Sequence, residues 1–157
     1  MRVELVNPFI QSLKDTFATM LNCEVHRGEL SLKNGSKASH EISGVIGLTG
    51  DTVGTVVLSL SRDVALKAAS TMLMMETTEL DADVLDAVGE LTNMVAGAAK
   101  AQLSEFNLAV SLPNVITGTD HDVHFPSNVT PLVISFTSPW GPLTLEVGLA
   151  DVPVAAE

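Results

Sequence analysis

The sequence predicts an α+β domain of helices and antiparallel hairpins, on three observations. Apolar residues recur at helical spacing over about 7–22, 62–75 and 82–104. Alternating strand-like runs fill two hairpins: ISGVIGLTG with TVGTVVLSL, turning at Gly50-Asp51, and PLVISFTS with PLTLEVGLAD, turning at Pro139–Pro142. The helix-then-hairpin order occurs twice, and ISGVIGLTGDTVGTVVLSLSRD spaces its apolar residues much as TPLVISFTSPWGPLTLEVGLAD does. Duplication and coincidence both produce such a pattern, and one sequence does not separate them.

The elements follow in order. Asn7 can cap the first helix and Pro8 suits its first position, with Phe9, Leu13, Phe17, Met20 and Leu21 on one face. Residues 24–32 read as a strand, and Lys33–Ser39 as a polar turn centred on Asn34-Gly35. The first hairpin spans about 42–49 and 52–60. The helix at 62–75 places Val64, Leu66, Ala68, Met72 and Met75 at helical spacing, and Met72, Met74 and Met75 read as core or interface filler. The acidic connector Glu76–Asp81 leads into the helix at 82–104, whose early carboxylates suit the helix dipole. Asn107–Leu112 and Val115–Gly118 read as strands, 119–130 as a loop, and the last hairpin closes the pattern.

A chain of 157 residues suits a single domain, 1–157, with pseudo-repeat halves at about 7–75 and 82–151. Tyr is absent and aromatics are 4%, so Val, Leu, Ile, Ala and Met must build the core. Eight basic against nineteen acidic side chains give a charge of −11. That excludes the basic surface that nucleic acid or an anionic membrane requires, and favours a protein partner with a basic rim. Cys23 is the only cysteine and forms no internal disulfide, which fits a reducing cytoplasm. Asn7, Gln11, Lys14 and Asp15 interrupt the apolar run a signal peptide would need, and no apolar segment reaches membrane-spanning length.

The informative stretch is GELTNMVAGAAKAQL, Gly89 to Leu103. On a helical wheel Val84, Val88, Leu91, Val95 and Ala99 form the core stripe, flanked by Leu85, Ala98 and Leu103. Asp86, Glu90, Asn93 and Gly97 lie opposite, and Glu90 and Asn93, three apart, project together. A solvated polar face explains this arrangement, and so does a docking surface. Asn and especially Gly are poor helix-interior residues, and a glycine on an exposed face lets another surface come close. Met94 at the edge adds an adaptable apolar contact.

The chemistry open to this face is narrow. No Ser or Cys lies beside a His in a recognisable nucleophile motif. An asparagine amide both donates and accepts, so it can hold a water in line with a labile phosphoryl group. A carboxylate three residues away can pair with a lysine of the phosphorylated partner. Such chemistry needs a reactive phosphoryl donor carrying its own metal, and an aspartyl phosphate on a response regulator is one.

DAVGELTNMVAGAAKAQL followed by FNLAVSLPNVITG resembles the CheX group of the CheC/CheX/FliY chemotaxis phosphatases. The family signature of an acidic or Ser residue, a Glu, an Asn three residues on and a Pro roughly twenty residues beyond falls on Asp86, Glu90, Asn93 and Pro113. GVIGLTGDTVGTVVLSLSRDVALKAASTML is similar too, so the resemblance runs from about Pro8 to Val147. It implies pseudo-symmetric helix-plus-hairpin halves with helices packed on a continuous antiparallel sheet. It further implies dephosphorylation of a CheY-like response regulator. Asn93 would orient the attacking water and Glu90 would bridge to the regulator's lysine, with Asp86, Met94 and Gly97 in the contact. Mg²⁺ would sit on the regulator, with no cofactor or metal held by this chain. CheX-type proteins carry one site and form homodimers, and Ser12 and Asp15, opposite Glu90 and Asn93 in the repeat, agree with a single site. Two alternatives use the same face: a non-catalytic module binding a receiver or flagellar-switch component, and a structural dimer packed through Gly97.

Three other motifs carry less. His121 and His124 are a possible metal pair in a loop, without a cysteine or glutamate to complete a site. Gly44, Gly47 and Gly50 give GxxGxxG, but in strand and hairpin rather than strand-loop-helix. Asn128-Val-Thr130 is a glycosylation sequon, without meaning in a cytoplasmic protein.

Overall fold

The computed structural model describes residues 3–151, so the outermost residues of the expected 1–157 domain lie outside it. Helix α1 (Val3–Leu21) precedes β1 (His26–Leu32), β2 (Ile42–Gly50) and β3 (Thr52–Leu60). Helices α2 (Arg62–Leu73) and α3 (Ala82–Gln102) follow, then β4 (Leu108–Val110), β5 (Asn114–Thr117), β6 (Leu132–Thr137) and β7 (Leu143–Asp151). The strands form one antiparallel sheet in the order β1-β6-β7-β3-β2-β4, with β5 also on β2.

The order explains the pseudo-symmetry. Both hairpins meet at the sheet centre, where β3 and β7 pair along their whole lengths, from Thr52↔Asp151 to Leu60↔Leu143. Each hairpin is then flanked by a strand from the other half of the chain, β1 beside β6 and β4/β5 beside β2. All three helices join one core with Ile42, Leu48, Val56, Leu58, Leu143, Leu145 and Val147 from the sheet. Among the described residues no helix is long and apolar enough to cross a membrane.

The opposite sheet face is closed by the 119–131 segment. Phe125 and Val129 pack over Gly148, where an added Cβ would come 2.6 Å from the Phe125 ring. Beneath this cover Glu146 is fully buried and pairs with the buried ammonium of Lys33, which also donates to the Lys37 carbonyl at 2.7 Å. A buried carboxylate without a cation would be costly, so this pair ties β7 to the chain leaving β1.

Several sequence expectations change. Asn7 does not cap α1, because the helix already runs from Val3 and contains Pro8. Pro8 removes one backbone bond, but Leu5 and Val6 extend the buried stripe upstream and their burial outweighs the loss. Helix α2 stops at Leu73, since Met74 turns left-handed (φ 55°) and its N–H caps the Ser70 carbonyl. Met74 is thus 91% exposed and Met75 is exposed too; of the three methionines only Met72 packs against the core. On α3, Ala98 is exposed rather than flanking the stripe, whereas Ala87, Gly89, Thr92 and Ala96 are buried. The helix is covered on two sides, by α1 and α2 as well as the sheet, so its buried arc is wider than one stripe.

Candidate functional site

Helix α3 is positioned at both ends and along its length. Asp81 caps the N-terminus, its Oδ1 accepting from the Val84 N–H at 3.0 Å. In the middle Thr92 lies on β2 at Gly44, where any Cβ would overlap the Thr92 side chain. Thr92 is buried, and its hydroxyl donates to the Val88 carbonyl at 2.7 Å. The glycine therefore allows a close approach of helix to sheet, which is the use of Gly44 in the GxxGxxG run.

With that side fixed, the opposite side is fixed too. Asp86, Glu90, Asn93 and Gly97 are all exposed, and Met94 beside them is half-buried. An added Cβ at Gly97 meets nothing within 4 Å, so no packing inside this chain requires a glycine there. Among the described residues the side chains of Asp86, Glu90 and Asn93 have no hydrogen-bond or ion partner. Among the described residues the ion pairs join Glu24 to His26, Glu146 to Lys33 and Asp122 to Lys37, all away from α3. The face thus holds two bare carboxylates and one free amide.

Pro113 joins this face from the sheet edge. Its Cγ lies 3.7 Å, and Val115 Cγ2 3.4 Å, from where a Cβ of Gly89 would be. Gly89 precedes Glu90 and is one helical turn before Asn93, so the β4–β5 connection runs along the Asn93 side of the face. The four signature positions therefore form one surface, although Pro113 lies on a different element. That surface is a helix flank rather than a hollow. A hollow of about 640 Å³ opens elsewhere, along α2 between Asp63, Lys67, Thr71 and Met75. Small molecules favour concave sites, so an exposed helix flank suits a macromolecular partner.

Elsewhere the structure makes contacts that sequence spacing missed. His121 Nε2 lies 2.8 Å from Ser43 Oγ, a serine–histidine contact between residues far apart in the chain. The Gly118 carbonyl, 2.8 Å from Nδ1, can only accept, so Nδ1 is the donor in that bond. Ser43 is fully buried and also bonded to Ser59, so this network fixes β2, β3 and the following loop. With both nitrogens engaged, His121 does not converge with the exposed His124. Asp122 turns instead to Ser36 and Lys37, which hold its carboxyl below the usual range. No described group of three or more His, Cys, Asp or Glu could hold a metal. At the repeat positions on α1, Ser12 is buried and accepts from Gln102 at 3.1 Å, and Asp15 accepts from Gln11 at 2.8 Å.

The matches to known proteins cover this surface. Residues 42–137, which include α3 and Pro113, match the family model of the chemotaxis phosphatase CheX. The CheY-P phosphatase CheX of Thermotoga maritima is 35% identical over 123 residues, covering 76% of this chain and 79% of that protein. The crystal structure of chemotaxis protein CheX from Vibrio vulnificus is 32% identical, with a TM-score of 0.86 over 94% of this chain and 99% of that one. The CheX component of a CheX–CheY–BeF3–Mg²⁺ complex from Borrelia burgdorferi shares the fold at 21% identity, with a TM-score of 0.80 over 96% and 100% of the two chains.

Proposed function

This chain belongs to the chemotaxis phosphatase CheX family, and we propose that it hydrolyses the aspartyl phosphate of a CheY-like response regulator. The carrying observation is that Glu90 and Asn93 stand exposed and without partners on one helix face. In this reading the face lies against the receiver domain. The Asn93 amide enters the receiver's active site and holds a water in line with phosphorus. The water oxygen bonds to phosphorus as the bond to the aspartate oxygen breaks, releasing a free carboxylate and inorganic phosphate. Positioning supplies the rate, because a held water reacts without the entropic cost of a free one. The Mg²⁺ that neutralises the phosphoryl oxygens belongs to the receiver.

Glu90 sets the register by pairing with the receiver's lysine, and its lack of an internal cation leaves it free to do so. Asp86 adds a second carboxylate to the same rim. The open space at Gly97 admits the receiver's surface, and Met94 supplies an adaptable apolar edge. The protein works in the cytoplasm of a two-component system, as a homodimer with one site per chain. The buried Ser12 and the internally bonded Asp15 agree with the absence of a second site on α1.

The test is decay of a phosphorylated receiver from the same genome, with and without this protein and with Asn93→Ala. Wild type accelerates decay, and Asn93→Ala folds normally while losing about ten- to a hundredfold or more in turnover. An undiminished rate in that variant removes Asn93 from the mechanism. Binding without faster decay would make the protein a receiver-binding module instead.

A further inference from the structure

The β4–β5 edge contains an irregularity that the phosphatase chemistry does not use. Val110 pairs with Leu48, and Ser111 donates its N–H to the Gly47 carbonyl at 2.9 Å. Pairing resumes with Asn114 opposite Val45. Leu112 and Pro113 together therefore stand opposite Ile46 alone, which makes a bulge. An extra residue re-aims the side chains around it. Pro113 goes inward to Gly89, and Leu112 is left 85% exposed.

This exposure is held in place. The Ser111 hydroxyl receives the Gly47 N–H at 2.8 Å and donates to the Leu112 carbonyl at 3.1 Å. With Pro113 seated on α3, the residue on each side of Leu112 is fixed. At 85% exposure Leu112 adds little to this chain's own core. Here a rigid bulge presents it to solvent beside the edge of α3 that carries Asn93.

We infer that Leu112 is an apolar docking residue that helps seat the phosphorylated receiver domain on the α3 face. The inference rests on the phosphatase reading, since the occupant is the same receiver. The argument for that occupant is continuity: Leu112 adjoins Pro113, which lies against Gly89 one helical turn before Asn93, so it extends the Asn93 side of the face. The polar centre of the face aligns the reaction, and the leucine at its rim supplies apolar burial that the two carboxylates and the amide lack.

The experiment is steady-state dephosphorylation of the receiver by wild type, Leu112→Ala and Leu112→Met, with thermal unfolding of each. Losing one buried leucine contact raises KM about tenfold. Because the contact is made before and during reaction alike, kcat is unchanged. Leu112→Met retains most of the affinity, and all three melt alike because the side chain is solvent-exposed. Unchanged KM in Leu112→Ala with an active wild type overturns the docking role and leaves the phosphatase reading intact. A fall in kcat at constant KM likewise overturns it. An inactive wild type fails the phosphatase reading itself, and the docking inference with it.

Discussion

At Gly97 the demands of folding and of the proposed docking differ. Glycine in a helix interior costs about 1 kcal/mol relative to a good helix former, and nothing inside this chain occupies the space over it. Gly97→Leu should therefore stabilise the fold by about 0.5–1 kcal/mol in denaturant unfolding. The same side chain should obstruct the receiver and raise KM severalfold. Greater stability with an unaltered KM would take Gly97 out of the contact. Glu90 gives the complementary case, an exposed carboxylate without an internal partner. Glu90→Lys should fold as wild type yet bind an activated receiver at least about tenfold more weakly, because two ammonium groups would then meet. Retained affinity in a binding titration would remove the lysine bridge.

At the scale of elements, the position of α3 depends on Gly44. The helix holds its exposed face in place only if its buried side reaches β2, and a Cβ there would overlap Thr92. Thr92 cannot swing away cheaply, since it is buried and bonded to Val88. Gly44→Ala should thus cost about 1–3 kcal/mol by overpacking. It should also lower kcat by displacing Asn93, although the substitution lies on the opposite side of the helix. Unchanged stability and turnover would mean that α3 tolerates a shift on the sheet. The bulge at Leu112-Pro113 belongs to this scale as well. The sequence reads 107–112 as plain strand, and the proline marks only where pairing stops; which side chain turns outward depends on the register with β2.

For the whole molecule, the open question of assembly falls on β1. This strand is a sheet edge, all seven of its residues are exposed, and Leu32 is 65% exposed. An edge strand offers unpaired backbone groups to another chain, and a second copy could satisfy them about a two-fold axis. We predict a dimer in sedimentation that the double substitution Leu30→Lys, Leu32→Lys converts to monomer by placing like charges across the pair. A dimer that survives the substitution would have to form elsewhere. The β1 edge lies at the other end of the strand order from β4 and β5, so such a dimer leaves the α3 face free.

Local pattern alone determined the three helices, the two hairpins and the projection of Glu90 and Asn93 from one helix face, because period and capping act between residues a turn apart. The signature positions were legible for the same reason, three of them on one helix. What only the tertiary structure decided is non-local: β3 against β7 at the centre, β1 carried across to β6, Lys33 buried against Glu146, and His121 brought to Ser43. It also decided that Pro113 lies on Gly89 and that Leu112 faces out. These contacts depend on strand register and on close approach between segments distant in the chain, which no local period specifies.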